Sequence, residues 1–420
     1  MSSGIRETHH IGLQPLSEPK FSVPQLKASP FRYKTVTLSD IPRREAAFLT
    51  QIFISHSPMS ILCQLLRVAL GRAERLNEPI DEVAWHDLLE IAKRQTLIGV
   101  LMEGIKRLPA EQQPETETMF TWLAAAERTK QNSRRLNKSA VQLCERLEKD
   151  GFQSVVLKGQ GVSLLYPEPL TRTPGDIDIW MSGGRNRIVR YIRQYFPKET
   201  VVYHHMDFPV FKKVSVEAHF TPSWMYSPVT NKRLQRWFRK MWPQEAENRT
   251  ALPESAGTVC VSTSAFNRVF IAVHIYRHLL DEGIGLRQLL DYYYVLHGNP
   301  LTEEARAESV STLQSLGMTR FMRGLMYALG ELFGLEEQWM LFSPDAKEGA
   351  FLINEVMLAG NFGKYDTRFA HEQSGDTHWQ RFLRKQQRNL HFLSHYPGEV
   401  LWHPLFRIWQ FFWRWHKGYL

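Results

Sequence analysis

Residues 151–225 interrupt a chain whose hydrophobic pattern is otherwise helical, and this interruption limits the fold more than any other feature. Ser154-Val155-Val156-Leu157 is a short apolar run, followed by the glycine turn Lys158-Gly159-Gln160-Gly161. Residues 162–166 read as one or two helical turns, and Asp176-Ile177-Asp178-Ile179-Trp180 alternates with the period of a strand. Residues 188–196 have helical spacing, and 201–205, 208–211 and 214–220 read as further strands. Strands alternating with helices imply an α/β core.

The flanks differ. Upstream, Ile61, Leu62, Leu65, Leu66, Val68 and Ala69 recur at helical spacing. Asp81 is placed to cap a helix carrying Trp85, Leu88, Leu89 and Ile91. A further helix follows through Ile98, Leu101 and Ile105, and a long one over 115–149 closes before Gly151. Downstream, 266–280 and 286–296 are strongly periodic, and more helices follow. The expected fold class is α+β, mostly helical, with a small mixed sheet between N- and C-terminal helical regions. The expected divisions are an irregular tail over 1–55, helices over 56–150, the α/β core over 151–225, a basic connecting segment over 226–264 and a helical domain over 265–420.

Hydrophobic residues at 43% and charged residues at 23% are the balance of a globular chain and exclude a wholly disordered one. Three well-separated cysteines, Cys63, Cys144 and Cys260, cannot form a disulfide framework, and a reducing cytoplasm is the expected location. The first residues lack the apolar core of a leader, and no apolar run reaches the roughly 18 residues of a membrane span. Residues 400–420 are rich in Trp and Phe, with Arg407, Gln410, Arg414 and Lys417 on one helical face. That pattern is expected to dock a helix on its own domain, and a membrane-surface helix is the other reading. The net charge of +9 suits phosphate-bearing partners.

On a strand, Asp176 and Asp178 project to one face while Ile177 and Ile179 turn into the core. Two adjacent carboxylates repel each other unless a cation lies between them, and Mg²⁺ (or Mn²⁺), shared with substrate phosphates, is the natural one. Neighbouring residues point the same way. The Lys158-Gly159 turn can cradle phosphate with backbone N–H groups and a charge, and Arg172 with Thr173 offers a bidentate donor and a hydroxyl. Val214 to His219 alternates again, so that Glu217 and His219 share a face, and Glu217 would supply the third carboxylate of a two-metal site. Other motifs fail. Leu164 stands at the third glycine of a dinucleotide turn, Leu165 ends any nucleophile elbow at 161–165, and Ile275 replaces the glutamate that a zinc-protease helix needs between His274 and His278. Basic residues beside aromatics over 232–240, and Arg381, Arg384, Lys385 and Arg388, could contact RNA, although a solvated helix face is the simpler reading.

Lys158-Gly159, Arg172 before Asp176-x-Asp178, and Glu217-x-His219 together resemble the DNA polymerase beta-like nucleotidyltransferase superfamily, and within it the bacterial uncharacterised nucleotidyltransferases. The likeness takes in the Trp85 helix, His274 to His278, Arg287, Asp291 and Gly360 to Gly363, covering most of 80–420. It implies a Mg²⁺-dependent enzyme that moves a nucleoside monophosphate from an NTP to a hydroxyl on an acceptor: a small molecule, an RNA or a protein. Asp176, Asp178 and Glu217 would be catalytic and hold the metals, with Glu217 also helping to take the acceptor's proton. Lys158, Gly159, Ser163, Arg172, His219, His278 and Asp291 would line the nucleotide site. Gln160 stands where the superfamily usually has serine, so Ser163 is the substitute hydroxyl. His205 is a lesser candidate. The resemblance leaves open a catalytically silent nucleotide- or partner-binding protein and an RNA-modifying toxin.

Overall fold

The computed structural model of the 420-residue chain describes residues 57–298, 301–369 and 377–419, so the tail expected over 1–55 lies wholly outside the described residues. The described part is mostly helical around a small mixed sheet, as the sequence pattern required. Helix α1 (Pro58–Ala69) starts at Ser57, whose hydroxyl accepts from the Ser60 N–H, with proline in the first turn where its missing N–H costs nothing. Helix α2 (Glu82–Gln95) is capped by the Asp81 carboxylate on the Ala84 N–H. After α3 (Ile98–Ile105) comes α4 (Thr116–Lys149), 34 residues and about 50 Å long at 1.5 Å per residue. Its buried stripe serves two cores. Near its start Trp122 meets Trp85 edge-on at 6.3 Å, and near its end Leu136, Ala140, Leu143 and Leu147 pack against the sheet.

The sheet contains β1 (Ser154–Leu157), β2 (Ile177–Met181), β3 (His205–Asp207) and β4 (Val216–His219) in the order β1-β2-β4-β3. Helix α5 (Gly159–Ser163) follows β1, and α6 (Gly184–Arg193) follows β2. β1 and β2 are antiparallel, β2 and β4 parallel, and β3 and β4 antiparallel. Ile177, Ile179 and Met181 enter the core under α4 and α6. Asp178 and Trp180 face the other way. That second face is not solvated. Trp180 packs against Phe238 and Trp242 of α7 (Pro228–Glu247) and Phe266 of α8 (Ser264–Asp281). The "connecting segment" is thus a 20-residue helix followed by a hairpin, β5 (Arg249–Leu252) and β6 (Gly257–Cys260), and beyond β6 Val261 bridges to Val156. A side chain at Gly161 would meet Val261 at 2.9 Å, so glycine is required for that approach.

Two strand expectations shift. The run at 201–205 contributes a bridge from Val201 to Met206 and, in His205, the first residue of β3, while 208–211 contributes only a bridge from Phe211 to Val214. The chain turns too sharply over 208–214 to sustain a ladder. The remaining helices are α9 (Leu286–His297), α10 (Glu303–Ser315), α11 (Thr319–Phe333), α12 (Ala346–Ala359), α13 (His378–His391), α14 (Pro397–Val400) and α15 (His403–Lys417). No helix among the described residues is long and apolar enough to cross a membrane.

Candidate active site

Strand register assembles the carboxylates. Asp178 lies beside Glu217 across the parallel β2–β4 pair, and Glu217 beside Asp207 across β4–β3. One step along, Trp180, His219 and His205 form the next row. Asp176 precedes β2 rather than belonging to it. Lys158 follows β1 and has a positive φ of 51° with ψ of −122°, a backbone that glycine adopts most readily. A lysine retained in that conformation directs its ammonium to Asp178 Oδ1, 2.8 Å away.

The second cation on Asp178 is His219, whose Nε2 lies 2.9 Å from Asp178 Oδ1 and 3.3 Å from Glu217 Oε2. These contacts set the charge states. Burial works against an ionised Asp178, but Lys158 and His219 outweigh it and hold the carboxyl well below its ordinary range. For His219, burial is again overcome, and hydrogen bonds to Asp178 and Glu217 push it up to about 9. Glu217 is lowered, His219 overcoming its burial. Asp176 goes the other way: the charge of Asp178, with burial, raises it to about 6. The expected carboxylate repulsion therefore falls on Asp176. Asp178 is 2% exposed, not solvent-facing.

Asp178, Glu217 and His219 each offer a ligand atom within 4.8 Å of the others, as do His205, Asp207 and Glu217, and His204, His205 and His219. Asp176 joins neither set containing a carboxylate. His205, lowered to about 4 by burial, places Nδ1 3.1 Å from Glu217 Oε2 and 2.9 Å from His204 Nε2. Asp207 was missed by sequence reasoning, although its alternation with His205 was the available signal, and His204 was set aside in favour of His205. A divalent cation fits these oxygens and imidazoles, and the raised Asp176 carboxyl is a charge that such a cation would relieve.

Beside the carboxylates opens a narrow cleft, with Lys158, Gly159, Asp176 and Asp178 on the sheet side and Ile271, His274 and Arg287 on the side of α8 and α9. Arg172 and Asp291 also line it, but they are engaged with each other. Arg172 donates from Nε to Asp291 Oδ1 at 2.7 Å and from Nη2 to Oδ2 at 2.8 Å, and the Tyr166 hydroxyl donates to the same carboxylate. Ser133 of α4 reaches the carbonyls of Leu170 and Arg172 and fixes this loop. Two of the residues expected to line the nucleotide site, Arg172 and Asp291, are therefore committed to a buried clamp. Arg172→Lys should lower unfolding stability by about 2 kcal/mol in urea titration, because an ammonium cannot satisfy both oxygens. Unchanged stability would remove the clamp.

The resemblance pointed to Arg287, with His278 and Asp291, as a lining of the nucleotide or acceptor cleft, and Arg287 does line it. Its guanidinium is buried in the cleft wall, donates to the Thr173 carbonyl at 2.9 Å, leaves Nε without a partner and has no carboxylate within ion-pair distance among the described residues. Ser163 does not line the cleft, because its hydroxyl donates to the Gln160 carbonyl at 2.7 Å. His278 pairs at 3.3 Å with Glu282, just past the end of α8, and packs 5.3 Å from the Phe362 ring that edges the cleft, whereas half-buried His274 lines it directly. Arg388 is buried against Asp366 and the Leu279 carbonyl, which takes it out of any RNA-binding face.

Among solved structures, an antigenic nucleotidyltransferase-like protein from Paracoccidioides brasiliensis is similar over 47% of this chain and 93% of its own, at 12% identity and a TM-score of 0.28. None of the curated proteins compared matches the chain. The family described as uncharacterised nucleotidyltransferase matches residues 81–334, from the helix that Asp81 caps through the sheet and both walls of the cleft. This chain therefore belongs to the uncharacterised nucleotidyltransferase family.

Proposed function

We propose that the protein transfers a nucleoside monophosphate from an NTP to a hydroxyl-bearing acceptor, in the manner of DNA polymerase beta-like enzymes and with Mg²⁺ or Mn²⁺. The observation that carries this reading is a carboxylate cluster facing, across one cleft, a buried arginine that makes no ion pair among the described residues. Lys158 and Arg287 would hold the polyphosphate, with the N–H groups at Gly159 approaching it closely. Asp178 and Glu217, with Asp176 beside them, would hold the metal, which when bound neutralises phosphate charge. The acceptor oxygen attacks the α-phosphorus as the bond to the β-phosphate oxygen breaks, and pyrophosphate departs. The hydroxyl proton passes to a carboxylate at the cleft. Asp176, raised to about 6 and lining the cleft, suits that task better than Glu217, which is lowered and bound to His219.

One observation favours a second reading. Lys158 and His219 already neutralise Asp178, as they would in a catalytically silent binding protein. Each labelled NTP incubated with the protein, a cell extract and Mg²⁺ or Mn²⁺ separates the two. Label transfer with pyrophosphate release, abolished by EDTA, is expected. Nucleotide binding that is equal in EDTA and metal, with no transfer from any NTP, would overturn the enzymatic reading.

A further inference from the structure

The last helix presents its apolar side to solvent. On α15, Leu405, Ile408, Trp409, Phe411, Phe412 and Trp415 are all exposed, Phe412 at 59% and Trp415 at 69%. At 3.6 residues per turn they span about 160° of the circumference, and only His416 in the last turn interrupts them with a polar group. The opposite side holds the helix to the protein. Phe406 stacks on Trp224, Trp413 meets Tyr203, and Arg407, Gln410 and Arg414 are half-buried there. The sequence expectation of a docked helix is met, with Arg407, Gln410 and Arg414 turned toward the protein beside Phe406 and Trp413, and the other large apolar side chains turned outward. Burying apolar area is worth about 25 cal/mol per Å², so so broad an apolar face marks a contact surface.

A cationic groove lies at the C-terminal end of this helix. α6 packs there, with the Arg193 guanidinium donating to the Gly418 carbonyl at 3.1 Å and Arg185 lying over the Trp413 ring at 4.7 Å. The groove is lined by Arg190, Arg193, Lys417, Asn186, Gln194 and Tyr419, with no carboxylate. We infer that α15 lies in the surface of an anionic bilayer, with its Trp- and Phe-rich face among the acyl chains and Arg190, Arg193 and Lys417 on lipid phosphates. Trp and Phe are the residues that settle at the boundary of headgroup and acyl chain, and cations beside them add attraction to anionic lipid. A second copy of this chain is a poorer occupant, since it brings the same net charge of +9 to the contact. The inference is independent of nucleotidyl transfer.

Flotation of the full-length protein with phosphatidylcholine vesicles, and with vesicles containing 30% phosphatidylglycerol, tests it. Wild type should float with the anionic vesicles at least tenfold more than with the neutral ones. Phe412→Glu with Trp415→Glu should lower flotation at least tenfold, and Arg190→Glu with Lys417→Glu should reduce it to the neutral-vesicle level. All four positions are at the surface, and unchanged near-UV circular dichroism and melting temperature would establish that the variants fold. No flotation of wild type, equal flotation with both vesicles, or flotation insensitive to the variants would each overturn the inference. So would a concentration-dependent dimer in sedimentation that the Phe412 and Trp415 substitutions dissolve, if vesicles do not compete with it.

Discussion

Replacing Asp176 and Asp178 one at a time by asparagine is expected to move the stability of the metal-free protein in opposite directions. Asp176 is raised from 3.8 to about 6 by the neighbouring Asp178 charge and by burial. A carboxyl that holds its proton more tightly when folded loses stability as pH rises from about 4 through 6, and the penalty is complete above that. Two pH units correspond to roughly 3 kcal/mol. Asp176→Asn removes the penalty, so the variant should be more stable than wild type at pH 7 by up to about that amount, and equal to it below pH 4. Asp178 is the reverse case. Its folded value is depressed, so its contribution is full at pH 7 and is lost only as pH falls below the ordinary carboxylate range. Asp178→Asn leaves Lys158 and His219 buried with one partner fewer each, at a cost of about 3 kcal/mol. His219, raised from 6.5 to about 9, adds stability that is full below pH 6.5 and lost as pH passes 9, and that alkaline decline should shrink in Asp178→Asn. Urea titrations in EDTA at pH 4, 7 and 9 measure all three effects. Shifts of the same sign for both variants would contradict the charge assignment.

Arg287→Met should separate binding from folding most sharply. The guanidinium is buried near Arg172 without a carboxylate of its own, and burial together with Arg172 lowers its affinity for a proton. Removing it relieves that strain, so the melting temperature should stay level or rise. Affinity for an NTP with Mg²⁺ should fall about 100-fold, the ~2.7 kcal/mol of a charge-assisted phosphate contact. Calorimetry reads the affinity and thermal denaturation the stability. A variant that melts far lower while binding nucleotide as wild type does would make Arg287 part of the scaffold.

Much of the carboxylate cluster was legible because strand geometry leaves little choice. A period of two places Glu217 and His219 on one side of β4, and the parallel register brings Glu217 beside Asp178. The helices were legible for the same local reason, from the Asp81 cap to the end of α4. What escaped depends on distant chain. Asp178 was expected to face solvent because nothing near it in sequence announces that α7 and α8 cover the Trp180 face. Arg287 was raised by the resemblance alone, because it stands more than a hundred residues from Asp178 and only the docking of α9 makes it a wall of the cleft. The hairpin at 249–260 lacked a readable turn, since Glu254 and Ser255 adopt positive φ where asparagine or glycine would have signalled it. Ser163 was misplaced because a hydroxyl in a short helix readily finds the carbonyl three residues back.

The Arg172–Asp291 clamp bears on how this chain can be divided. It fastens the loop before β2 to α9 across 119 residues of sequence, at the edge of the cleft whose two walls come from those same segments. The α/β segment at 151–225 is consequently not a transplantable module. Cut out, it would expose Trp180, leave Arg172 without its counter-charge and keep only one bank of the cleft. Exchange of parts with other proteins must therefore carry the sheet and helices α7 to α9 together.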